Sequence, residues 1–258
     1  MPPSTAPLDG KTALVTGSSR GIGRGIALAL AAQGCNVAVH FARRRPEAEE
    51  TVQAVMAHGV QSAAFRANLA REEAARQLVA EVMDRFGSVD IFVANAASGT
   101  LRPALELEAK AWDWTFNINV RSVLAAVQSA APAMRQRGWG RVITVTSAGS
   151  RRVIPHYGVV GISKAALEAL TRYLAVELAP DGITVNGVSP GFVETDALDF
   201  FPNKDEMLER AVRATPAGRL VTPEDVGQVV AWLCSDQAAM IVGQIIEIDG
   251  GYGLLAQG

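Results

Sequence analysis

The chain has 258 residues, of which 49% are hydrophobic and 19% are charged, and this balance is typical of a globular protein with a buried core. Its formal net charge of −2 creates no overall field that would favour nucleic acid or an anionic membrane as a partner. The sequence has no apolar run near the roughly 18–20 residues needed to cross a bilayer, so we expect a cytoplasmic protein.

The two cysteines and the first ten residues indicate neither a cross-link nor a targeting signal. Cys35 and Cys234 are far apart and show no metal-ligand spacing, so we expect two buried thiols and no metal site. Residues 1–10 are rich in Pro, Ser and Thr and lack the basic and apolar regions of a signal peptide. We therefore expect a short flexible N-terminal tail.

Short apolar runs rich in β-branched residues alternate with longer helical patterns along most of the chain. The runs predict strands at Thr12–Thr16, Asn36–Phe41, Ser62–Arg66, Ile91–Ala94, Arg141–Thr146, Thr184–Val188 and Gln244–Ile248. The helical patterns predict helices at Ile22–Gln33, Pro46–His58, Glu72–Phe86, Lys110–Gln136, Ile162–Ala179 and Pro223–Cys234. This alternation predicts an α/β fold, in which residues 11–258 form a single Rossmann-type domain with a doubly wound parallel sheet of about seven strands flanked by helices.

One segment, residues 194–216, interrupts this alternation because Pro202 and Pro216 stand among mixed helix signals. An insertion after a strand, at the carboxyl edge of the sheet, is where an α/β enzyme places a mobile substrate lid. We predict such a lid here, with an ordinary packed loop as the alternative.

A glycine-rich turn, Thr16 to Gly23, directly follows the first predicted strand and opens a helix. Gly17, Gly21 and Gly23 let the backbone turn tightly and approach a ligand closely, while the start of the helix presents free N–H groups. Because strand, turn and helix follow in this order, the segment predicts a site for the pyrophosphate of a dinucleotide. The alternative is a plain helix-capping turn.

The spacing Gly-x-x-x-Gly-x-Gly resembles that of the short-chain dehydrogenase/reductase superfamily, and the resemblance extends from Lys11 to about Leu255. It implies a nicotinamide cofactor, and it also implies a homo-oligomer, by analogy a tetramer, for which the apolar segment Ile245–Leu255 is a candidate contact. The predicted cofactor-binding residues are Gly17, Ser19, Arg20, Gly21, Ile22, Gly23, Arg43, Asn68, Leu69, Asn95, Ala96, Lys164, Gly191, Val193 and Thr195.

The residues after the second predicted strand distinguish between the two nicotinamide cofactors. An NAD site usually carries a carboxylate there for the ribose 2′-hydroxyl, and this strand ends without an acid. Arg43, Arg44 and Arg45 follow instead, and Arg20 lies in the glycine turn. Since a guanidinium can donate two hydrogen bonds to one phosphate, we predict NADPH, with its 2′-phosphate on Arg20 and Arg43. A solvated basic turn is the alternative for the clustered arginines.

The catalytic residues of the superfamily match this chain with one displacement. Ser147 follows the fifth strand and Lys164 lies in the next helix, but the usual tyrosine position, four residues before the lysine, is Val160. The nearby phenol is Tyr157, seven residues before Lys164. On an ideal helix, seven residues come within about 20° of two full turns, so both side chains could share a face about 10 Å apart along the axis.

The Tyr-x6-Lys pattern resembles the third type of bacterial enoyl-acyl-carrier-protein reductase, as do the stretches at 95–99, 112–115 and 195–198. This resemblance implies an NADPH-dependent reduction of the α,β double bond of an enoyl thioester, carried by acyl carrier protein or CoA, in fatty-acid or related acyl-chain biosynthesis. A phenol moved along the cleft suits that reaction, because the thioester oxygen lies further from the nicotinamide than a ketone oxygen would.

The resemblance also implies a role for each matching side chain. Tyr157 would donate a hydrogen bond or a proton to the enolate oxygen. Lys164 would bind the nicotinamide ribose and make Tyr157 more acidic. Asn119 would hold a water behind that lysine, and Ser147 would line the site or assist.

Two other hypotheses remain open. The turn Ser189–Gly191 looks like the ordinary ketoreductase form, which favours a 3-ketoacyl or other carbonyl reductase with an irregular tyrosine. From a different class, the chain could be a non-catalytic protein that binds NADPH and turns over no thioester.

Overall fold

The computed structural model describes residues 6–193 and 204–255, and it shows one sheet with helices on both faces. The strands are β1 (Thr12–Val15), β2 (Asn36–Phe41), β3 (Ser62–Arg66), β4 (Ile91–Ala94), β5 (Gly140–Val145), β6 (Ile183–Pro190) and β7 (Ile245–Ile248). All neighbours pair in parallel, in the order β3-β2-β1-β4-β5-β6-β7. The predicted Rossmann-type, doubly wound α/β fold is therefore confirmed.

The helices follow the predicted alternation, with two differences near the site. They are α1 (Gly21–Ala32), α2 (Arg45–Met56), α3 (Glu72–Phe86), α4 (Ala109–Phe116), α5 (Ser122–Arg137), α6 (Gly158–Leu178), α7 (Lys204–Ala214) and α8 (Pro223–Cys234). The helix predicted at Lys110–Gln136 is divided by a wider π-type turn, Asn117–Arg121. Helix α6 begins at Gly158, immediately after Tyr157, and not at Ile162.

The core has two layers because successive side chains of a buried strand point to opposite faces of the sheet. On β1, Ala13 and Val15 belong to the cluster that contains residues of α1 and α8. Leu14 belongs to the opposite cluster, with residues of α3, α5 and α6. The sheet is thus covered on both faces, and its carboxyl edge is left for ligands.

The strand order places a topological switch between β1 and β4. Connections from these two adjacent strands run to opposite sides, which opens a crevice at their carboxyl ends. The glycine turn, Asn95, Ser147 and Gly191 follow β1, β4, β5 and β6 respectively, so all four lie along this edge. The fold therefore brings together residues that are up to 174 positions apart in the chain.

Three predictions about the ends and insertions of the chain have separate outcomes. Within the predicted N-terminal tail, Leu8 is 1% exposed and its N–H donates to the carbonyl oxygen of Gln33 at 3.0 Å, so the structure departs from a loose tail there. Residues 194–203 of the predicted lid lie outside the described residues, α7 occupies most of the remainder, and the lid stays a prediction. Among the described helices, none is both long enough and apolar enough for a bilayer crossing.

Candidate active site

The glycine turn between β1 and α1 forms a cradle that side chains would fill. Gly17 has a φ of +65°, a backbone conformation that favours glycine. A Cβ on Gly23 would lie 2.4 Å from the carbonyl oxygen of Gly17 and 2.5 Å from Nδ2 of Asn95, so only glycine fits there. The cradle adjoins the N-terminus of α1, where backbone N–H groups and the helix dipole favour an anion. These residues fit the pyrophosphate of a dinucleotide.

Asn95 and Thr16 hold the glycine turn against the end of β4. The Asn95 side-chain amide donates to the carbonyl oxygens of Thr16 at 2.8 Å and Gly17 at 3.0 Å. The Thr16 hydroxyl accepts from the backbone N–H groups of Asn95 and Ala96, both at 3.0 Å. The Asn95 side chain therefore shapes the predicted cofactor site by bracing its backbone.

His40, near the end of β2, is a buried residue of this site that the sequence analysis did not identify. Its Nδ1 accepts from the N–H of Gly17 at 3.0 Å, and its Nε2 lies 3.2 Å from the carbonyl oxygen of Ala67. Both contacts require a neutral ring with the proton on Nε2. Burial lowers the pKa of His40 to about 4, which keeps the ring neutral at pH 7. Its sequence signal is a polar ring among the apolar residues 37–41 of β2.

The arginines of the basic turn and Arg20 occupy different environments, and of these only Arg20 and Arg43 are predicted to bind the 2′-phosphate. Arg44 and Arg45 form surface ion pairs with Glu47 and Glu49, both at 3.3 Å, along the exposed side of α2. Arg43 is exposed in the turn between β2 and α2, and Arg20 is the N-cap residue of α1. Neither strand β2 nor this turn contributes a carboxylate, so the described groups at this position are basic.

The remaining predicted cofactor residues lie along the same edge. Asn68 and Leu69 follow β3, where the Asn68 side chain accepts from the N–H of Ala70 at 3.1 Å and Leu69 is buried. Gly191 follows β6, and a Cβ there would come within 2.9 Å of Asp249. Val193 forms an isolated bridge with Val221, whereas Thr195 lies outside the described residues.

Ser147 and Tyr157 are brought together by two turns. Ser147 caps the short 3-10 turn Ala148–Ser150, and its hydroxyl oxygen accepts from the N–H of Gly149 at 3.1 Å. Tyr157 is the N-cap residue of α6, with φ −93° and ψ 13°, so it precedes the helix. Its ring packs on Gly149, where an added Cβ would lie 2.6 Å from Cε1 of the ring. The ring thereby lies close enough to Ser147 for that side chain to lower the pKa of the phenol.

The pKa of Tyr157 is raised above its usual value by burial, and the hydrogen bond with Ser147 opposes this rise only in part. The expected effect of Lys164 on the acidity of Tyr157 stays a prediction. Burial of the phenol disfavours the phenolate. Tyr157 is consequently a protonated donor at neutral pH.

Lys164 is buried in α6, and its Nζ donates to the carbonyl oxygen of Val145 at 2.6 Å. Burial lowers its pKa to about 8. An ammonium group carries three N–H donors, so two remain for other acceptors such as ribose hydroxyls. The lysine therefore fits the predicted role in cofactor binding.

Asn119 lies in the π-type turn and connects the loop after β4 to α6. Its Oδ1 accepts from the N–H of Ser98 at 2.9 Å, and its Nδ2 donates to the carbonyl oxygen of Ser98 at 3.0 Å. The same Nδ2 donates to the hydroxyl of Ser163, the neighbour of Lys164, at 2.9 Å. The Asn119 side chain is thus engaged with protein groups, and its predicted water-holding role stays a prediction.

A doubly wound sheet, a glycine cradle at its switch point and a Ser–Tyr–Lys group at the same edge define a dinucleotide-dependent oxidoreductase. A family model described as enoyl-(acyl carrier protein) reductase matches residues 17–253. The chain belongs to the short-chain dehydrogenase/reductase superfamily, and the predicted membership is confirmed.

Three relatives illustrate what this chain is similar to. It is 39% identical to a 3-oxoacyl-[acyl-carrier-protein] reductase of Staphylococcus epidermidis, over 93% of this chain and 98% of that protein. It is 36% identical to a 1-cyclohexenylcarbonyl-CoA reductase of Streptomyces collinus, over 95% and 88% respectively. The solved structure of a double mutant of a Serratia marcescens short-chain dehydrogenase/reductase superposes with a TM-score of 0.88 at 38% identity, covering 95% of this chain and 99% of that one.

The predicted reduction of an enoyl double bond is wrong, since the relatives of higher identity are 3-oxoacyl reductases, which favours the carbonyl-reductase alternative. The physical reason lies in the position of Tyr157. The seven-residue spacing to Lys164 predicts a phenol that is displaced along the cleft, away from Ser147. Instead, Tyr157 precedes α6 and its ring returns to Ser147.

Proposed function

We propose that this oxidoreductase is an NADPH-dependent carbonyl reductase that acts on the ketone of a 3-oxoacyl thioester. The observation that carries the proposal is the packing of the Tyr157 ring on Gly149, in the turn that Ser147 caps, which brings the phenol to the side of the Ser147 hydroxyl. Two converging donors at one point suit a single oxygen on which negative charge develops during reduction.

When bound, the reduced nicotinamide supplies a hydride to the carbonyl carbon. Tyr157 donates its phenolic proton to the carbonyl oxygen, so that the C=O group becomes a CH–OH group. The raised pKa of Tyr157 supports its role as the proton donor, because the phenol remains protonated until the carbonyl oxygen of the substrate gains charge. Ser147 donates a second hydrogen bond to that oxygen, and Lys164 holds the ribose hydroxyls with its two remaining N–H groups.

Arg20 and Arg43 support the choice of NADPH, since they flank the site where an NAD enzyme would carry a carboxylate. The test is the ratio of kcat/KM with NADPH to that with NADH. We expect Arg43→Ala to lower this ratio by about 10-fold or more, because a charge-assisted bond to a phosphate is worth about 1.5–3 kcal/mol. Arg45→Ala, which removes an arginine paired with Glu49, is the matched control and should leave the ratio unchanged. Equal efficiency of the native protein with both cofactors would contradict the proposal.

The thioester part of the proposal comes from the relatives and not from a described pocket. The Staphylococcus epidermidis protein is a reductase of 3-oxoacyl groups on acyl carrier protein, and this chain spans nearly all of it. We propose the same substrate class here, carried by acyl carrier protein or CoA.

The test of the function is steady-state oxidation of NADPH with acetoacetyl-CoA. We expect Tyr157→Phe to lower kcat by about 10²–10⁴-fold, and Ser147→Ala by about 10²-fold, while the dissociation constant for NADPH stays within about 2-fold. Full activity of Tyr157→Phe would show that another group donates the proton. Tight binding of NADPH by the native protein without turnover of any ketone would favour the non-catalytic alternative.

A further inference from the structure

The segment that carries Ser147 is attached at two points to one buried carboxylate, that of Glu168. This glutamate lies one helical turn after Lys164 in α6 and is 6% exposed. Its Oε1 accepts a hydrogen bond from the hydroxyl of Thr146 at 3.0 Å and from that of Ser150 at 2.5 Å. Thr146 immediately precedes Ser147, and Ser150 ends the 3-10 turn that Ser147 caps, so the two contacts lie on either side of the serine.

Ser150 extends this connection to Ser147 itself. Its hydroxyl oxygen lies 2.8 Å from the carbonyl oxygen of Ser147 as well as 2.5 Å from Glu168. These contacts lie on either side of Ser147, whose own hydroxyl oxygen accepts from the N–H of Gly149 within the turn.

A buried carboxylate is costly unless hydrogen bonds and a positive charge compensate it. Here the positive charge comes from Arg151, whose Nε lies 4.0 Å from Oε1 of Glu168. The same guanidinium bonds Glu247 of β7 at 2.7 Å. The Arg151 guanidinium thus connects the turn both to α6 and to β7. An apolar residue at position 168 would avoid the cost of burying a charge, but it would remove the hydrogen bonds that hold the turn.

We propose that Glu168 is a positioning residue, which acts through Thr146 and Ser150 to hold the Ser147 hydroxyl where the substrate oxygen binds. This inference rests on the proposed carbonyl reduction, because Ser147 matters only if its hydroxyl contacts that oxygen. The described hydrogen bonds of Glu168 are to Thr146 and Ser150, so its proposed effect on the reaction passes through the turn.

The first test measures kcat, KM for acetoacetyl-CoA and the NADPH dissociation constant separately. Glu168→Ala should lower kcat by about 10–100-fold, as expected for a donor that loses its preorganised position, with little change in KM or in cofactor affinity. Glu168→Gln keeps an acceptor oxygen for both hydroxyls and should retain kcat within about 3-fold. Glu177→Ala, at an exposed glutamate of the same helix, is the matched control and should behave as the native protein. A Glu168→Ala variant with unchanged kcat would overturn the inference.

A double-mutant cycle then asks whether Glu168 acts through Ser147. If it does, Glu168→Ala should cost nothing further in a Ser147→Ala background, and independent, additive losses would overturn the inference. If Ser147→Ala alone left kcat unchanged, the proposed function would fail first, which distinguishes the two failures. Should Glu168→Ala not fold, Thr146→Val and Ser150→Ala each remove one of the two hydrogen bonds to Glu168. Each should then lower kcat by about 3–10-fold, and full activity of both would overturn the inference.

Discussion

Substituting Gly149 by alanine would move the Tyr157 ring without removing any chemical group. An alanine Cβ at this position would lie 2.6 Å from Cε1 and 2.7 Å from Cδ1 of the ring. Ordinary carbon contacts are about 3.5–4.0 Å, so the ring has to retreat by about 1 Å. Displacing a catalytic group by about 1 Å can cost on the order of 10²-fold in rate. We therefore expect Gly149→Ala to lower kcat with acetoacetyl-CoA by about 10²-fold.

Gly158 provides the matched control because it follows Tyr157 directly. A Cβ there would lie 3.5 Å from Cβ of Ala104, which is an ordinary contact, so Gly158→Ala should retain activity. The assay is steady-state NADPH oxidation, with NADPH affinity measured in parallel by fluorescence titration. Native kcat in Gly149→Ala would refute the account of the phenol's position. Equal losses of kcat in Gly149→Ala and Gly158→Ala would also refute it, because of these two glycines only Gly149 lies against the ring.

Three further predictions concern the cradle and the buried bases. Gly23→Ala should weaken NADPH binding by at least about 10-fold in a fluorescence titration, because its Cβ would lie 2.4 Å from the carbonyl oxygen of Gly17, and native affinity would contradict this. Since the pKa of His40 falls to about 4 on folding, the free energy of unfolding should drop by up to about 3 kcal/mol as the pH falls from 6.5 to 4. In denaturant titrations, His40→Phe should lack this drop. If the free energy of unfolding fell with pH equally in the variant and the native protein, this would be evidence against a neutral His40. The pKa of Lys164 falls from 10.5 to about 8, so the free energy of unfolding of the cofactor-free protein should rise between these pH values by about 3 kcal/mol more than that of Lys164→Met. Parallel profiles would show that the lysine is not buried in its neutral form.

The sheet could be predicted from the sequence because its strands are buried on both faces and read as short apolar runs between helical patterns. The bounds of β2, β3 and β4 agree with the prediction, and so do those of α8, which Thr222 and Asp225 begin with a capping box. Each of these features depends on residues that are close together in the chain.

The site could be predicted only in part, because its decisive contacts join distant segments. The orientation of Tyr157 depends on the absence of a side chain at Gly149 and on Ser147, which come from another turn. The seven-residue spacing between Tyr157 and Lys164 contains neither fact, and it led to the wrong reaction. His40 was missed for the same reason, since its partners Gly17 and Ala67 follow two other strands.

A competition experiment tests the proposed carbonyl reduction most directly. Equal amounts of acetoacetyl-CoA and crotonyl-CoA are incubated with the native protein and with NADPH deuterated at the transferable position, and the products are separated by mass. If Ser147 and Tyr157 receive a ketone oxygen, the label appears in 3-hydroxybutyryl-CoA at the carbon that bears the hydroxyl, and crotonyl-CoA is recovered unchanged. Label in butyryl-CoA, with acetoacetyl-CoA unchanged, would contradict the account.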